Sequence, residues 1–327
     1  MDLKQEILKL KEKLDVTIVA HYYQHDSVFE LADIVGDSLE LAKKSMETQT
    51  EFIVFCGVGF MGQSVKILAP EKRVLMPKIA CCAMARMIES ESFLEAVKYL
   101  NDAGIPNEKI LPITYINSNA SVKAEVGKMG GMVCTSSNAE KIITKALKEN
   151  KKILFVPDRC LGENIAKKMG LKSTVVGRRD DPKDADIICF NGFCSVHQLF
   201  SVEDIEFFRN KYPGIKIISH PECTVEVCDE SDFVGSTSQI IKYIDALDPE
   251  QKIAVATEFN LVNRLRDKNT YVLSATKPVC PTMNETGLQE LYDVLKSIDD
   301  NDIQNEVLVD EETTKWAKIA LERMFEI

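Results

Sequence analysis

Short apolar runs rich in β-branched residues alternate with longer amphipathic stretches along the whole chain. The run from Asp15 to Ala20 reads as a buried strand delivering His21, Tyr22, Tyr23, Gln24 and His25 at its C-terminal end. Val35 to Ser38 opens a helix, with Asp37 or Ser38 as its N-cap. Phe52 to Cys56 is a second strand, turning through Gly57 and Gly59 into a helix over Phe60 to Leu68. A third strand, Arg73 to Met76, leads to Cys82.

This order of events recurs twice. Ile110 to Tyr115 is a strand delivering Tyr115 and Asn117, and Met132 to Cys134 runs into Thr135, Ser136 and Ser137 ahead of a helix over Ala139 to Leu147. Ile153 to Val156 enters a helix ending near Gly170, and strands around Val175 and Ile187 lead to Cys194. In the third pass, Ile215 to Ser219 delivers His220, Pro221 and Glu222. Phe233 and Val234 precede Gly235 to Ser238, Ile253 to Ala256 precedes Thr257 and Glu258, and Tyr271 to Leu273 precedes Cys280. The polar residue ending the first strand and the hydroxyl heading the next helix lie 17 apart for His21 and Ser38, 19 for Asn117 and Ser136, and 17 for His220 and Thr237. Self-similarity at this spacing marks an internal repeat.

Alternating strands and helices of these lengths predict parallel sheets flanked by helices, with functional groups at the C-terminal edges of the strands. The expected fold is α/β: three similar three-layer αβα domains, residues 1–100, 101–198 and 199–327, in a pseudo-threefold arrangement around a central active site. The three terminal cysteines then meet near the axis. Two more helices are counted with the third unit as outer cover: Leu288 to Ile298, and one capped by Asp310 with Trp316, Ile319, Ala320 and Met324 on one face.

Composition narrows the class. With 327 residues, 45% of them hydrophobic, the chain can bury sizeable cores, and no apolar run approaches the roughly 18 residues of a membrane span. Charges interrupt the apolar positions of Met1 to Asp15, as on an amphipathic helix rather than a signal peptide. Ten cysteines without a secretory segment point to reduced thiols and a cytoplasmic enzyme. A net charge of -11 argues against general nucleic-acid binding, which needs Lys and Arg to neutralise phosphates.

Three convergent thiolates admit several readings. Zinc would recruit a fourth ligand, and His197 has a usable spacing from Cys194, although no Cys-x-x-Cys pair is present. An iron-sulfur cluster is normally held by four cysteines; three leave one iron open as a Lewis acid. A cluster-bearing oxygen sensor, a zinc hydrolase and three merely buried cysteines remain alternatives at this point.

The motif series resembles that of the quinolinate synthase family. It runs through His21-Tyr-Tyr-Gln24, Gly36-Asp-Ser38, Cys82-Ala-Met-Ala85, Tyr115-Ile-Asn117, Cys134-Thr-Ser-Ser-Asn138 and Val156-Pro-Asp158. It continues with Gly192-Phe-Cys-Ser-Val-His197, His220-Pro-Glu222, Gly235-Ser-Thr-Ser238, Thr257-Glu258 and Cys280-Pro-Thr-Met283. The resemblance implies three α/β domains around a 4Fe-4S cluster. It also implies an enzyme of NAD biosynthesis that condenses iminoaspartate with dihydroxyacetone phosphate into quinolinate, releasing phosphate and water. An aspartate oxidase or dehydrogenase supplying iminoaspartate is the implied partner.

Carried over, the cluster ligands are Cys82, Cys194 and Cys280, with Cys82 preferred over neighbouring Cys81 because Met84-Ala85 follows it. His21 is expected to bind substrate and Tyr23 to assist proton transfer; Tyr115, Asn117 and His220 complete the strand-end binding set. Ser38, Ser136 and Thr237 are expected as helix N-caps whose free amides also take carboxylate or phosphate. Glu222 is the expected general acid/base. Cys160 and the Phe190-Asn191 pair depart from the family pattern, and Cys56, Cys134, Cys189, Cys223 and Cys228 are assigned to packing.

Overall fold

Three separate parallel sheets appear in the computed structural model, which describes residues 2–326. The first comprises β1 (Val16–His21), β2 (Ile34–Gly36), β3 (Phe52–Cys56) and β4 (Arg73–Leu75) in the order β2-β1-β3-β4. The second comprises β5 (Ile110–Tyr115), β6 (Met132–Cys134), β7 (Lys152–Val156), β8 (Ser173–Val175) and β9 (Ile187–Cys189), ordered β6-β5-β7-β9-β8. The third repeats the first: β10 (Lys216–Ser219), β11 (Phe233–Val234), β12 (Ile253–Ala256) and β13 (Thr270–Val272), ordered β11-β10-β12-β13. Every pairing is parallel. The central strands are nearly continuous apolar runs, because helices cover both faces of such sheets. The second unit adds β8 as an outer edge, so β9 stands where β4 and β13 stand in the other two.

Register shows which residues are equivalent. Ala20 lies opposite Cys56, Thr114 opposite Val156 and Ser219 opposite Ala256, so the next residues, His21, Tyr115 and His220, occupy one position in the three units. The expectation that Asn117 matches His21 and His220 is therefore corrected. Asn117 lies two residues past the strand end, in register with Tyr23 and Glu222.

The two C-terminal helices do not pack on the third unit. Leu288–Asp299 buries Leu291, Val294, Leu295 and Ile298 in a cluster with Ile7, Ile18 and Val28 of the first unit. Glu311–Arg323 lies on the second-unit helix Ala120–Lys128, with Ala317, Ala320, Leu321 and Met324 buried. Trp316 and Ile319, expected on the same face, are half-buried, with Trp316 packed against the main apolar cluster. The approach needs glycine at Gly127, where a Cβ would come within 2.1 Å of the Trp316 carbonyl oxygen. Between the helices the chain straps the edge of β4: Met76 N–H donates to Asn305 O at 3.1 Å and Val307 N–H to Val74 O at 2.8 Å. This covers an edge that would otherwise be open for pairing. The third unit completes its own two apolar clusters from residues between Phe200 and Leu273, with Tyr22 and Tyr23 packed against one of them.

Candidate active site

Each cysteine named by the repeat follows its unit's fourth-position strand and precedes a single turn of 3-10 helix. These turns are Ala85–Met87, His197–Leu199 and Met283–Glu285, each beginning three residues after Cys82, Cys194 or Cys280. The local hydrogen bonding repeats as well, since the N–H groups of Arg86, Gln198 and Asn284 donate to the carbonyls of Cys82, Cys194 and Cys280 at 3.1, 3.2 and 3.2 Å. Cys81 is exposed and falls outside this repeated position. The three half-buried thiols line one cavity. Burial pushes Cys82 up to about 12 and raises Cys194 and Cys280, while backbone N–H groups oppose the rise: those of Met84 and Ala85 at Cys82, His197 at Cys194, and Thr282 and Met283 at Cys280. Three soft thiols from three units, each with amides turned to the sulfur, suit an iron-sulfur cluster with three protein ligands.

The cavity has a volume of about 70 Å³, and every non-cysteine residue expected to bind substrate or move protons lines it: His21, Tyr23, Ser38, Tyr115, Asn117, Ser136, His220, Glu222 and Thr237. The Tyr115 hydroxyl donates to Glu222 Oε1 at 2.6 Å. Glu222 Oε2 lies 2.9 Å from His197 Nδ1, within ion-pair distance but outside hydrogen-bond geometry. His197 Nε2 pairs with Thr257 Oγ1 at 3.1 Å, Thr257 with the Tyr23 hydroxyl at 3.0 Å, and Tyr23 with Thr237 Oγ1 at 3.1 Å. A polar path thus runs from the second unit through the third to the first.

Electrostatics sort these groups. Burial lowers His21 to about 4 and His220 to about 3, so both are neutral near pH 7. Their Nδ1 atoms accept the backbone N–H of Tyr23 at 3.1 Å and of Glu222 at 3.3 Å, which leaves the proton on Nε2. Burial opposes ionisation of Glu222, but His220, His197 and the Tyr115 hydroxyl outweigh it and hold the carboxyl below its usual range. Burial raises both Tyr23 and Tyr115, which keeps their hydroxyls protonated.

Residues 5–326 match the family model described as quinolinate synthetase A protein. The chain belongs to this family. Among curated relatives, the quinolinate synthase of Helicobacter pylori strain HPAG1 is 54% identical over all of this chain and 98% of its own. That of Streptomyces coelicolor is 40% identical over 99% and 88% of the two chains, and that of Bacillus cytotoxicus 37% over 99% and 93%. Like these relatives the chain is an enzyme. Among its described residues no helix is long and apolar enough to cross a membrane.

In this quinolinate synthetase A member Asp37, one of the two residues expected to cap its helix, is the N-cap, whereas Ser136 and Thr237 are not caps. Asp37 caps the helix Ser38–Met46 and Ser236 the helix Thr237–Asp245, both in capping boxes, which makes Ser38 and Thr237 the first helical residues. Ser136 sits in the turn before Ala139–Leu147, where Asn138 Oδ1 accepts the Thr135 N–H at 2.7 Å. Ser38, Ser136 and Thr237 themselves still line the cavity.

Two residues carry more than the sequence suggested. The sequence marks His197 as a possible zinc ligand and as the end of the Gly192–His197 motif, yet it sits between Glu222 and Thr257. Thr257 is the first residue past β12; its place at a strand end was the available signal. The departures from the family pattern are accommodated: Cys160 is buried and accepts from Gln198 Nε2 at 3.4 Å, and Asn191 accepts from Arg159 at 3.0 Å. Cys56, Cys134, Cys189 and Cys223 are wholly buried, as packing residues should be.

Proposed function

We propose that this chain is the quinolinate-forming enzyme of NAD biosynthesis, condensing iminoaspartate with dihydroxyacetone phosphate and releasing phosphate and water. The observation that carries this reading is the meeting of three cysteine loops and three polar strand ends in one cavity. Cys82, Cys194 and Cys280 would hold a 4Fe-4S cluster. When bound, the cluster supplies a Lewis-acidic iron for substrate oxygen or nitrogen.

The remaining work falls to the protein. No lysine or arginine lines the cavity among the described residues, so the substrates' negative charges are met by dipoles and N–H donors. Free amides at the helix starts marked by Ser38 and Thr237, and the turn at Ser136, take carboxylate and phosphate oxygens. Neutral His21 and His220 offer Nε2–H to the same groups, and Asn117 offers an amide. Ring closure moves several protons. Ionised Glu222 begins as a base, taking a proton from carbon or nitrogen, and then returns it to a leaving oxygen. Glu222 meets His197 at ion-pair distance, hydrogen bonds run on from His197 through Thr257 to the Tyr23 hydroxyl, and that hydroxyl assists the transfer. An aspartate oxidase or dehydrogenase supplies the unstable imine.

The Cys194, His197 and Glu222 donor atoms lie within 4.8 Å of one another, which favours a zinc-hydrolase reading as the second possibility. Anaerobic purification with metal and sulfide analysis separates the two. About four irons and four sulfides per chain, with quinolinate formed from the two substrates, is the expected result. A colourless protein with one zinc and no quinolinate would overturn the proposal.

A further inference from the structure

Tyr23, Asn117 and Glu222 each stand two residues past the equivalent strand-end positions His21, Tyr115 and His220. Each is also flanked by two backbone carbonyls gripped by a single side chain. Arg264 donates through Nη2 to Tyr22 O and through Nη1 to Gln24 O at 2.9 Å, around Tyr23. Lys123 Nζ donates to Ile116 O at 2.8 Å and to Ser118 O, around Asn117. Asn164 Nδ2 donates to Pro221 O at 2.9 Å and Cys223 O at 2.8 Å, around Glu222. The gripping residues share neither type nor position: one ends the helix Phe259–Arg264, one lies in Ala120–Lys128 and one in Arg159–Lys168.

We infer that Arg264, Lys123 and Asn164 are positioning residues, each fixing the backbone on both sides of one residue of the cavity. Two grips cross between units, from the third to the first and from the second to the third, so the placement of Tyr23 and Glu222 depends on how the units dock. Lys123 acts within its own unit. It is wholly buried, has no acidic partner among the described residues, and lies 5.3 Å from the centre of the Phe60 ring, itself part of the cavity wall. A lysine costly to bury is held there by two carbonyls and an aromatic face. Arg264 additionally pairs with Asp26 at 2.8 Å.

The inference rests on the roles proposed above for Glu222 and Asn117, and its test separates the two levels. Asn164→Ala in the cluster-loaded enzyme is expected to lower kcat about 10- to 100-fold with KM changed less than about twofold, the cost of a reacting group displaced by about 1 Å. Combined with Glu222→Gln it should add nothing to the loss from Glu222→Gln alone, because both remove one function. Lys123→Met should instead raise KM, as Asn117→Ala should. Amide hydrogen exchange across residues 220–224 should quicken in Asn164→Ala without substrate while the rest of the chain keeps its protection. Unchanged exchange with unchanged kcat, or a loss that multiplies with that of Glu222→Gln, would overturn the inference. If the parent enzyme makes no quinolinate, the proposed function falls, and the exchange measurement still decides whether Asn164 holds the loop.

Discussion

The Tyr115 hydroxyl reaches Glu222 Oε1 at 2.6 Å across the boundary between the second and third units, and both groups are buried. A buried carboxylate needs such donors to stay ionised. Tyr115→Phe removes one of them, so the carboxyl should shift upward and the acid limb of the pH–rate profile should move to higher pH. Glu222→Gln, nearly isosteric, should keep iron and sulfide while turnover falls about 10²-fold or more, the usual contribution of a positioned acid or base. A stable, cluster-replete Glu222→Gln enzyme with near-normal single-turnover rate would end the proton-transfer role.

Cys82→Ser, Cys194→Ser and Cys280→Ser should each lose iron, sulfide and activity, since two thiolates are a poor hold for four irons. Cys81→Ser should be close to neutral, because that side chain is exposed and outside the repeated turn. Iron retained in Cys82→Ser and lost in Cys81→Ser would reverse the assignment.

Burial lowers Lys123 from 10.5 to about 7 in the folded protein. Below about pH 7 both folded and unfolded chains carry its proton, and the cost of burying the charge is felt in full. Between about 7 and 10.5 the unfolded chain holds a proton that the folded chain has lost, so this group makes stability rise with pH. Lys123→Met lacks the group. Denaturant unfolding of both proteins from pH 6 to 9.5 should show the parent gaining on the variant above pH 7; parallel curves would mean that Lys123 keeps an ordinary affinity for its proton.

Gly127→Ala tests how the C-terminal helix is held. The added methyl would meet the Trp316 carbonyl at 2.1 Å, a backbone atom that cannot turn aside. The helix Glu311–Arg323 should separate from Ala120–Lys128, visible as altered Trp316 fluorescence and a loss of about 1 to 3 kcal/mol in stability, the usual cost of overpacking. An unchanged melting temperature would place the slack in the helix pair.

Local pattern alone determined much of this protein. The strands Phe52–Cys56, Ile110–Tyr115, Met132–Cys134 and Ile253–Ala256 were readable residue for residue, because short β-branched runs bounded by turns carry their own signal. The repeat pointed to three cysteine loops that meet at one cavity, since each motif lies within a few residues of its strand. Tertiary structure decided what depends on partners far along the chain. Register, which local spacing does not encode, matched Tyr115 rather than Asn117 to His21 and His220. The C-terminal helices left the third unit because apolar faces pair wherever complementary surface is open, not with the preceding element. His197, Asn164 and Arg264 found their roles across unit boundaries, where Arg264 donates to a residue 242 positions away in sequence and a window of local periodicity holds no trace of it.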